Sequence, residues 1–433
     1  MQRHASEFRW VTAKVRAHEK WFSESLPMIA SENVTSEPLR SVMASDLGHR
    51  YAEGWPGERV YAGCKFVDEI ELQAISLGKK LFRSDFVDVR PTSGVVANLA
   101  VYSALSNPGD TMLALPIPSG GHISHGKRDF SGTAGLVHSL NIEYFAFDKG
   151  QMNIDVDETK KRIRSLVKVK LAMFGGSLFL FPHPVKELAE SVRDAGGVVC
   201  YDAAHVAGLI AGGQFQDPLR EGAQVMTLST HKTLFGPQGG AIVSSHEFAD
   251  SLKKAVFPGT TSNHHLHNMA CKAMVFAEFL EFGHEYAKAV VANARALGEE
   301  LAVLGENVLG EANGYTKSHQ LAIDVTKYCD GGVMEKLLEE QSIIVNRQLI
   351  PGDLQAGRHY TNPGGIRVGV AELTRLGMGR GEMLEVAQIL HMALEGTRRR
   401  SVAARVKELR KGFQSVKYSF RESPAYSFSS VRR

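Results

Sequence analysis

The stretch LSTHKTLFGPQGG, residues 228–240, places one lysine, Lys232, between a short apolar run and a glycine-rich turn. The run from Gln224 to Leu228 predicts a buried strand, so the lysine amine is expected to emerge where that strand ends. Burial beside a second cation, for which His231 is the candidate, favours the neutral amine, and a neutral amine can attack a carbonyl carbon. A surface lysine on a turn is the alternative interpretation of this stretch taken alone.

The segment GVVCYDAAHVAGLIAGG, residues 197–213, also joins a strand to a functional side chain. Val198 to Tyr201 predicts the strand, and Asp202 falls at its carboxyl end. Because parallel strands of an open α/β sheet present their carboxyl ends at one edge, we expect Asp202 and Lys232 at the same edge. A lysine for an aldehyde and a carboxylate for a protonated ring nitrogen are what pyridoxal phosphate requires. Pyridoxal phosphate is therefore the candidate cofactor.

Residues 65–260 alternate amphipathic helices with short apolar strands, which is typical of a domain built on a mostly parallel sheet. Within this region, Ser93 and Gly94 precede the apolar helix VVANLAVYSALS. A hydroxyl and unpaired backbone N–H groups at a helix N-terminus favour an anion such as a phosphate, although a simple helix cap has the same sequence.

A long helical stretch at about residues 270–300 precedes a second, shorter alternation of strands and helices. Its strand GGIRVG carries Arg367, and a buried arginine is expected to have a carboxylate partner from the protein or from a ligand. We therefore expect an α/β protein with a large domain and a smaller α/β C-terminal domain. The expected division is an N-terminal arm with the loop after it (1–45), a large cofactor-binding domain (46–275), a small domain with the bridging helix (276–400) and a basic helical tail (401–433).

The composition, 43% hydrophobic and 22% charged over 433 residues, excludes a largely disordered chain. No apolar run approaches the roughly 20 residues of a membrane helix. The first 20 residues are charged throughout and lack the apolar core of a signal peptide, so we expect a cytosolic protein. The four cysteines are widely scattered without a C-x-x-C pair and are expected to act as small buried hydrophobes in a reducing compartment.

The net charge of +3 is concentrated near the C-terminus. Residues 398–411 carry seven Arg or Lys and one Glu, contributing +6, so the rest of the chain sums to −3. Val402, Val406, Leu409 and Phe413 recur there at helical spacing, which predicts an amphipathic helix with a solvated basic face. Contact with RNA or an anionic membrane is the less favoured interpretation.

Two further segments carry polar groups outside regular structure. HRYAEGWPGERVYAGC, residues 49–64, has too many glycines and prolines for a regular helix or central strand, and its acids and phenols indicate either a site loop or a structural loop. In SNHHLHN, His264 and His267 are three residues apart, but no nearby carboxylate or cysteine completes a ligand set, so no metal is expected. The N-terminal residues 1–27 are predicted to form a helical arm.

Taken together, LPMIASENVTS, HRYAEGWPGERVYAGC, GGHISHG, YDAAHVAGLIAGG, LSTHKTLFGPQGG and GGIRVG resemble the motifs of the serine hydroxymethyltransferases, which are fold-type I pyridoxal phosphate enzymes. They occur in order from about residue 20 to residue 400. GGSLFLFPHPV, SNHHLH and VKYSF are most similar to the archaeal-type branch.

The resemblance implies a set of roles for individual residues. For the cofactor, it implies that Lys232 binds the aldehyde, Asp202 pairs with the pyridine nitrogen, His125 stacks on the ring, Ser93 and Gly94 hold the phosphate, and His205 and His231 line the site. For the amino acid, it implies that Arg367 and Ser31 bind the carboxylate. It further implies that Glu53, Tyr51 and Tyr61 act in the site of a neighbouring subunit, so that the enzyme is a homodimer.

Five residues depart from the family pattern. Val95 stands where many members have a second phosphate-binding serine, and Gln238 replaces a common arginine. Ser262-Asn263 replaces a glycine pair that reaches the partner's phosphate. Gln348 replaces an asparagine that contacts the pterin.

The implied activity is interconversion of serine and glycine, with tetrahydrofolate or a modified pterin as the one-carbon acceptor. A threonine aldolase or transaldolase that uses an aldehyde acceptor is the first alternative. A non-catalytic relative that binds RNA or a partner through the basic tail is the second.

Overall fold

The structure is a computed structural model that describes residues 4–396, 399–426 and 428. Its strands, in chain order, are β1 (Leu26–Pro27), β2 (Gly54–Trp55), β3 (Glu58–Arg59), β4 (Phe86–Asp88), β5 (Thr111–Ala114), β6 (Asn141–Tyr144), β7 (Phe147–Asp148), β8 (Asn153–Ile154), β9 (Leu171–Gly175), β10 (Val198–Asp202), β11 (Val225–Ser229), β12 (Gly240–Ser244), β13 (Asn307–Val308), β14 (Gln320–Asp324), β15 (Ile343–Ile344), β16 (Asn346–Gln348), β17 (Gly365–Gly369), β18 (Ser415–Val416) and β19 (Ser423–Pro424).

The α-helices alternate with these strands along the chain, as the sequence predicts. They are α1 (Ala5–Ser23), α2 (Glu37–Met43), α3 (Lys65–Phe82), α4 (Gly94–Leu105), α5 (Thr133–Val137), α6 (Val156–Ser165), α7 (Val185–Asp194), α8 (Ala207–Ala211), α9 (Pro218–Glu221), α10 (Ala249–Lys254), α11 (Leu266–Val303), α12 (Gly331–Glu339), α13 (Ala371–Arg375), α14 (Arg380–Leu394) and α15 (Arg399–Arg410). No helix of the described residues combines the length and the apolar character needed to cross a membrane.

The larger sheet has the strand order β4-β12-β11-β10-β9-β5-β6. Strands β11, β10, β9, β5 and β6 run parallel, whereas β12 runs antiparallel to both of its neighbours. Alternate residues of β10 enter different hydrophobic clusters, since Val199 and Tyr201 pack in one and Cys200 in the other. Both faces of the sheet are therefore covered, which explains why its central strands are continuous apolar runs.

The register of the central strands brings the two predicted site residues to one edge. Asp202 ends β10 and pairs with Thr227 in β11, and Lys232 lies three residues after Ser229, where β11 ends. Ser229 in turn pairs with Gly240 as β12 returns antiparallel. The prediction that Asp202 and Lys232 share the carboxyl edge is confirmed.

The smaller sheet has the order β13-β14-β17-β16 and is antiparallel. Arg367 lies in the middle of β17, between Ala322 and Asn346 on the neighbouring strands. The segment SIIVN, residues 342–346, contributes to two different strands, β15 and β16. Its β15 pairs in parallel with β1 instead of joining the smaller sheet, so the chain after the N-terminal helix is fastened to the C-terminal part of the molecule.

The two terminal segments form the predicted helices but differ in packing. Helix α1 has no buried residue, and Phe8 and Trp10 are 73% and 62% exposed. Helix α15 buries Val402 and Val406 completely, as its amphipathic pattern predicts. Residues 1–3 of the predicted arm, residue 398 of the basic segment and residues 427 and 429–433 of the tail lie outside the described residues.

Basic residues of α15 are bonded to the rest of the chain. Arg410 is fully buried and donates to the Ser25 carbonyl, and Lys407 pairs with Glu24. Of the four cysteines, Cys329 is half-buried, whereas the other three are buried as expected.

Candidate active site

A cavity of about 200 Å³ lies at the carboxyl ends of β9, β10 and β11, beside the N-terminus of α4. The cavity lies at this edge because the loops that follow the parallel strands all emerge there. Its wall contains six of the residues that the sequence singled out: Ser93, Gly94, Asp202, His205, His231 and Lys232.

Lys232 is buried in this cavity, and its amine has no hydrogen-bond partner among the described residues. Burial lowers the pKa of Lys232 to about 8, with the charge of Asp202 raising it and that of Arg367 lowering it. The expected second cation, His231, is itself neutral near pH 7, because burial lowers its pKa to about 4. The predicted shift of Lys232 toward the neutral amine is thus caused by burial and Arg367 rather than by His231.

Asp202 is held as a buried carboxylate by three hydrogen bonds. Asn98 Nδ2 donates to Oδ2 at 2.8 Å, His125 Nε2 lies 3.0 Å from the same oxygen, and the backbone N–H of Ala204 donates to Oδ1 at 2.8 Å. Burial alone would raise the pKa of Asp202, but His125, His122 and Asn98 outweigh it and lower the pKa well below its usual range. An ionised carboxylate at this position suits a protonated pyridine nitrogen.

The motif GGHISHG contributes a different histidine to the cavity wall from the one expected. His125 is fully buried behind Asp202, whereas His122 lines the cavity. Burial first and then His125 lower the pKa of His122 to about 4, so its ring is neutral. The expectation that His125 faces a cofactor ring does not fit its engagement with Asp202, and His122 is the histidine of this motif that lies in the cavity wall.

The N-terminus of α4 forms the end of the cavity expected to hold phosphate. Ser93 Oγ accepts a hydrogen bond from Val96 N at 3.2 Å, so the serine is also a helix cap. A Cβ at Gly94 would lie 2.5 Å from Ser229 Oγ, so a larger residue here would require the serine hydroxyl to move. The unpaired N–H groups of the first helical turn, together with Ser229 and Gln238 in the wall, fit a phosphate group.

Arg367 is buried, and burial lowers its pKa to about 10. Its Nε donates to Asn346 Oδ1 at 3.1 Å, and its Nη1 donates to the carbonyl and hydroxyl oxygens of Ser177 at 2.7 and 2.9 Å. No carboxylate among the described residues forms an ion pair with it. The sequence led us to expect a carboxylate partner from either the protein or a ligand, and the ligand therefore remains.

Ser31 and Gln348 do not line the cofactor cavity. Ser31 lines a second cavity of about 660 Å³, which shares His231 and Gln238 with the first. Gln348 is buried, and its amide nitrogen donates to the Leu349 carbonyl at 2.9 Å. The amide predicted to contact a pterin is thus bonded to the backbone in this structure.

The five remaining residues of the predicted site form a separate group, the hairpin cluster: Tyr51, Glu53, Tyr61, Ser262 and Asn263. The tyrosine rings lie 5.2 Å apart, Ser262 Oγ donates to Glu53, and Asn263 bonds backbone groups of the loop 49–64. That loop contains only the two-residue strands β2 and β3, in agreement with the prediction. None of the five is among the described residues that line the cofactor cavity.

The histidine-rich loop has a carboxylate neighbour that local sequence spacing could not reveal. His264 Nε2 lies 3.0 Å from Glu71 Oε2 of α3, and Arg59 Nη2 donates to the same oxygen at 2.6 Å. The described residues contain no group of three or more histidine, cysteine, aspartate or glutamate side chains that could hold a metal ion.

A mostly parallel sheet with a buried lysine and a buried aspartate at its carboxyl edge, beside a helix N-terminus, is the arrangement of a fold-type I pyridoxal phosphate enzyme. The sequence profile of the family "Serine hydroxymethyltransferase" matches residues 9–390. The chain belongs to this family.

Similar proteins cover almost the whole chain. A serine hydroxymethyltransferase of Cenarchaeum symbiosum is 60% identical, over 96% of this chain and 96% of that protein. One of Nitrosopumilus maritimus is 56% identical, over 98% and 97% respectively. Among solved structures, an L-threonine transaldolase from Pseudomonas fluorescens in its internal aldimine state has a TM-score of 0.86 at 28% identity, covering 97% of this chain and 95% of that chain.

Proposed function

We propose that this protein interconverts serine and glycine, using pyridoxal phosphate as cofactor and a reduced pterin, tetrahydrofolate or a modified pterin, as the one-carbon acceptor. The relatives at 60% and 56% identity support the reaction. The observation that carries the proposal is Arg367, a buried cation without a carboxylate among the described residues, near a buried lysine with a lowered pKa. This pair suits an α-amino acid, which brings its own carboxylate.

The cofactor would be held by residues that already have the required chemistry. Lys232 supplies the amine, Asp202 the carboxylate for the ring nitrogen, and His122 a neutral ring for one face. Ser93 and Gly94 would bind the phosphate at the N-terminus of α4. When bound, pyridoxal phosphate supplies an electron sink for the bonds at the amino-acid Cα.

Arg367 has one terminal nitrogen left for the substrate. Its Nε and Nη1 are used by Asn346 and Ser177, whereas Nη2 has no hydrogen bond to the described residues. A charge-assisted bond from Nη2 to the amino-acid carboxylate would fix the substrate beside Lys232. Ser31, in the adjoining cavity, is the proposed second contact.

The hairpin cluster is proposed to complete the cofactor cavity of a second subunit in a homodimer. This is supported by its position outside the cavity of its own chain and by the exposure of its two tyrosines, 55% and 45%. Glu53 is the proposed group for proton transfer at the substrate hydroxyl or the pterin. The exposed apolar residues of α1 are a further surface for such an interface, and a cytosolic location remains the prediction from sequence.

A threonine aldolase or transaldolase activity is the second candidate, supported by the similarity to the Pseudomonas fluorescens structure. Glycine formation distinguishes the two, measured from serine and from threonine with either a reduced pterin or an added aldehyde. We expect pterin-dependent turnover of serine. Fast, pterin-independent turnover of threonine that is captured by the aldehyde, with serine inert, would reassign the protein as a transaldolase.

A further inference from the structure

Gln320, the first residue of β14, is fully buried. It contacts His205 in the wall of the cofactor cavity and Ser177, which accepts hydrogen bonds from Arg367. Its amide oxygen accepts from the backbone N–H of Phe179 at 2.7 Å. Its amide nitrogen lies 3.0 Å from the Ser177 carbonyl and 2.7 Å from His205 Nδ1. Both N–H groups and the oxygen of the Gln320 amide thus have hydrogen-bond partners.

Two backbone groups fix the orientation of the Gln320 amide. The N–H of Phe179 can only donate, so the atom facing it is the oxygen, and the carbonyl of Ser177 can only accept, so the atom facing it is the nitrogen. An amide flip would break both bonds. The group that faces His205 Nδ1 is therefore an N–H donor.

A donor at Gln320 requires His205 Nδ1 to be an acceptor. Burial first and then the charges of Lys232 and Arg367 lower the pKa of His205 well below its ordinary value, so the ring is neutral and carries one proton, which must be on Nε2. That nitrogen has no hydrogen bond to the described residues, and His205 lines the cavity. The cavity-facing nitrogen is thus a donor available to a ligand.

Two further groups lie close to the Gln320 amide, the ring of His319 and the guanidinium of Arg367. His319 Nε2 lies 3.4 Å from the Gln320 nitrogen but does not compete, because its proton is directed to the Ala30 carbonyl at 2.9 Å. The Ser177 carbonyl that Gln320 binds also accepts from Arg367 Nη1 at 2.7 Å. One carbonyl therefore connects the histidine at the cofactor to the arginine for the substrate.

We propose that Gln320 is a positioning residue that fixes His205 as an Nε2–H donor to the cofactor. Through its bond to Ser177, Gln320 also fixes the position of His205 relative to Arg367. The effect on serine turnover rests on the proposed function, whereas the position of the proton on His205 does not. The two parts can therefore fail separately.

The proton is located by NMR of the holoenzyme labelled with ¹⁵N-histidine, with the His205 signals assigned by their loss in His205→Asn. The parent protein is expected to carry the proton on Nε2. In Gln320→Glu a carboxylate can only accept, so the proton is expected to move to Nδ1. The control is Gln341→Met, because Gln341 is also buried but donates to the Leu337 carbonyl away from the cavity. This control is expected to match the parent.

Gln320→Met keeps the shape of the side chain without its hydrogen bonds. This variant replaces Gln320→Glu in the experiment if Gln320→Glu fails to fold. It is expected to give a mixture of the two proton positions. Both variants are expected to retain cofactor on Lys232 and to lower kcat/KM for serine roughly tenfold or more, since small misplacements at a reacting centre cost up to about 10²-fold. Gln341→Met is expected to leave kcat/KM unchanged.

Three results would overturn the inference: a parent protein with the proton on Nδ1, an unchanged proton position in both Gln320 variants, or a moved proton with unchanged serine turnover. A parent protein that binds cofactor but does not turn over serine would instead reject the proposed function. In that case the proton positions in the parent and the variants still decide whether Gln320 orients His205.

Discussion

The cofactor cavity and the hairpin cluster differ in how much of their environment one chain supplies. In the cavity, Asp202 and Lys232 are buried and bordered by side chains from distant segments. In the hairpin cluster, Tyr51 and Tyr61 are 55% and 45% exposed, and neither is among the described residues that line the cavity. One chain thus supplies the residues proposed to hold the cofactor, whereas in the proposed homodimer a second copy would complete the acceptor side of the site.

The largest effect is expected at Lys232. Lys232→Ala should abolish turnover, and borohydride should fix the cofactor to the parent peptide that contains Lys232. Lys272 is the informative competitor, because burial lowers its pKa to about 7 as well. Its amine, however, donates to the carbonyls of Val89, Pro91 and Gly240 at 2.6, 3.0 and 2.8 Å and is not free to react. Peptide mapping that finds the label on Lys272 would contradict the assignment of the cavity.

A smaller effect is expected at Arg367. Arg367→Lys should retain the cofactor but lose serine affinity by roughly 2–5 kcal/mol, because it truncates one partner of a buried charge pair. Equilibrium binding of serine, followed through the cofactor absorbance, measures this loss. Loss of cofactor or of folding would show that Arg367 pairs within the protein instead.

The shared site is tested by mixing two inactive variants. In a hybrid of Glu53→Gln and Lys232→Ala, one site has both Lys232 and the partner's Glu53. Random exchange should restore about a quarter of the parental activity, since about half of the dimers are hybrid and each has one complete site. If the subunits exchange, as mass spectrometry of the mixture can show, and activity stays absent, the hairpin cluster acts in its own chain or not at all.

The smallest effect is a shift in pH dependence. Only the neutral Lys232 amine can attack the aldehyde, so the rate at which cofactor-free protein binds pyridoxal phosphate should rise with pH through a midpoint near pH 8. Arg367→Met removes a charge that lowers the pKa of Lys232, so the midpoint should move to higher pH. Arg295→Met, which removes an exposed arginine paired with Glu299, is the control. Equal midpoints in all three proteins would contradict the coupling of Lys232 to Arg367.

The strand edge was predictable because its signals are local. A continuous apolar run followed by Asp202, and another followed by Lys232 and a glycine-rich turn, suffice to place both residues at one edge of a parallel sheet. The helix start at Ser93-Gly94 and the amphipathic α15 follow from equally local patterns. The order of the motifs along the chain then indicated the family.

The parts that sequence missed depend on segments that meet only in the folded chain. The motif GGHISHG contains two histidines, and their spacing does not predict which of them lines the cavity. In the structure His125 bonds Asp202 and His122 lines the cavity. Asn98 has the signal of a polar residue inside an apolar helix, but its partner Asp202 lies 104 residues away. Gln320 likewise stands out as a polar residue at the start of an apolar strand, yet its three partners come from two other segments.

The pairing of β1 with β15 has a consequence for the order of folding. Leu26 and Pro27 find their partners, Ile343 and Ile344, roughly 300 residues later in the chain. At synthesis rates of about 5–20 residues per second, the apolar segment around Leu26 waits roughly 15–60 s on the ribosome before its partner strand exists. During that interval the larger sheet can form, whereas the N-terminal segment stays without its strand partner. We expect β1 to be among the last elements to become protected, and a nascent chain that stops before residue 343 to leave it accessible to protease and chaperone.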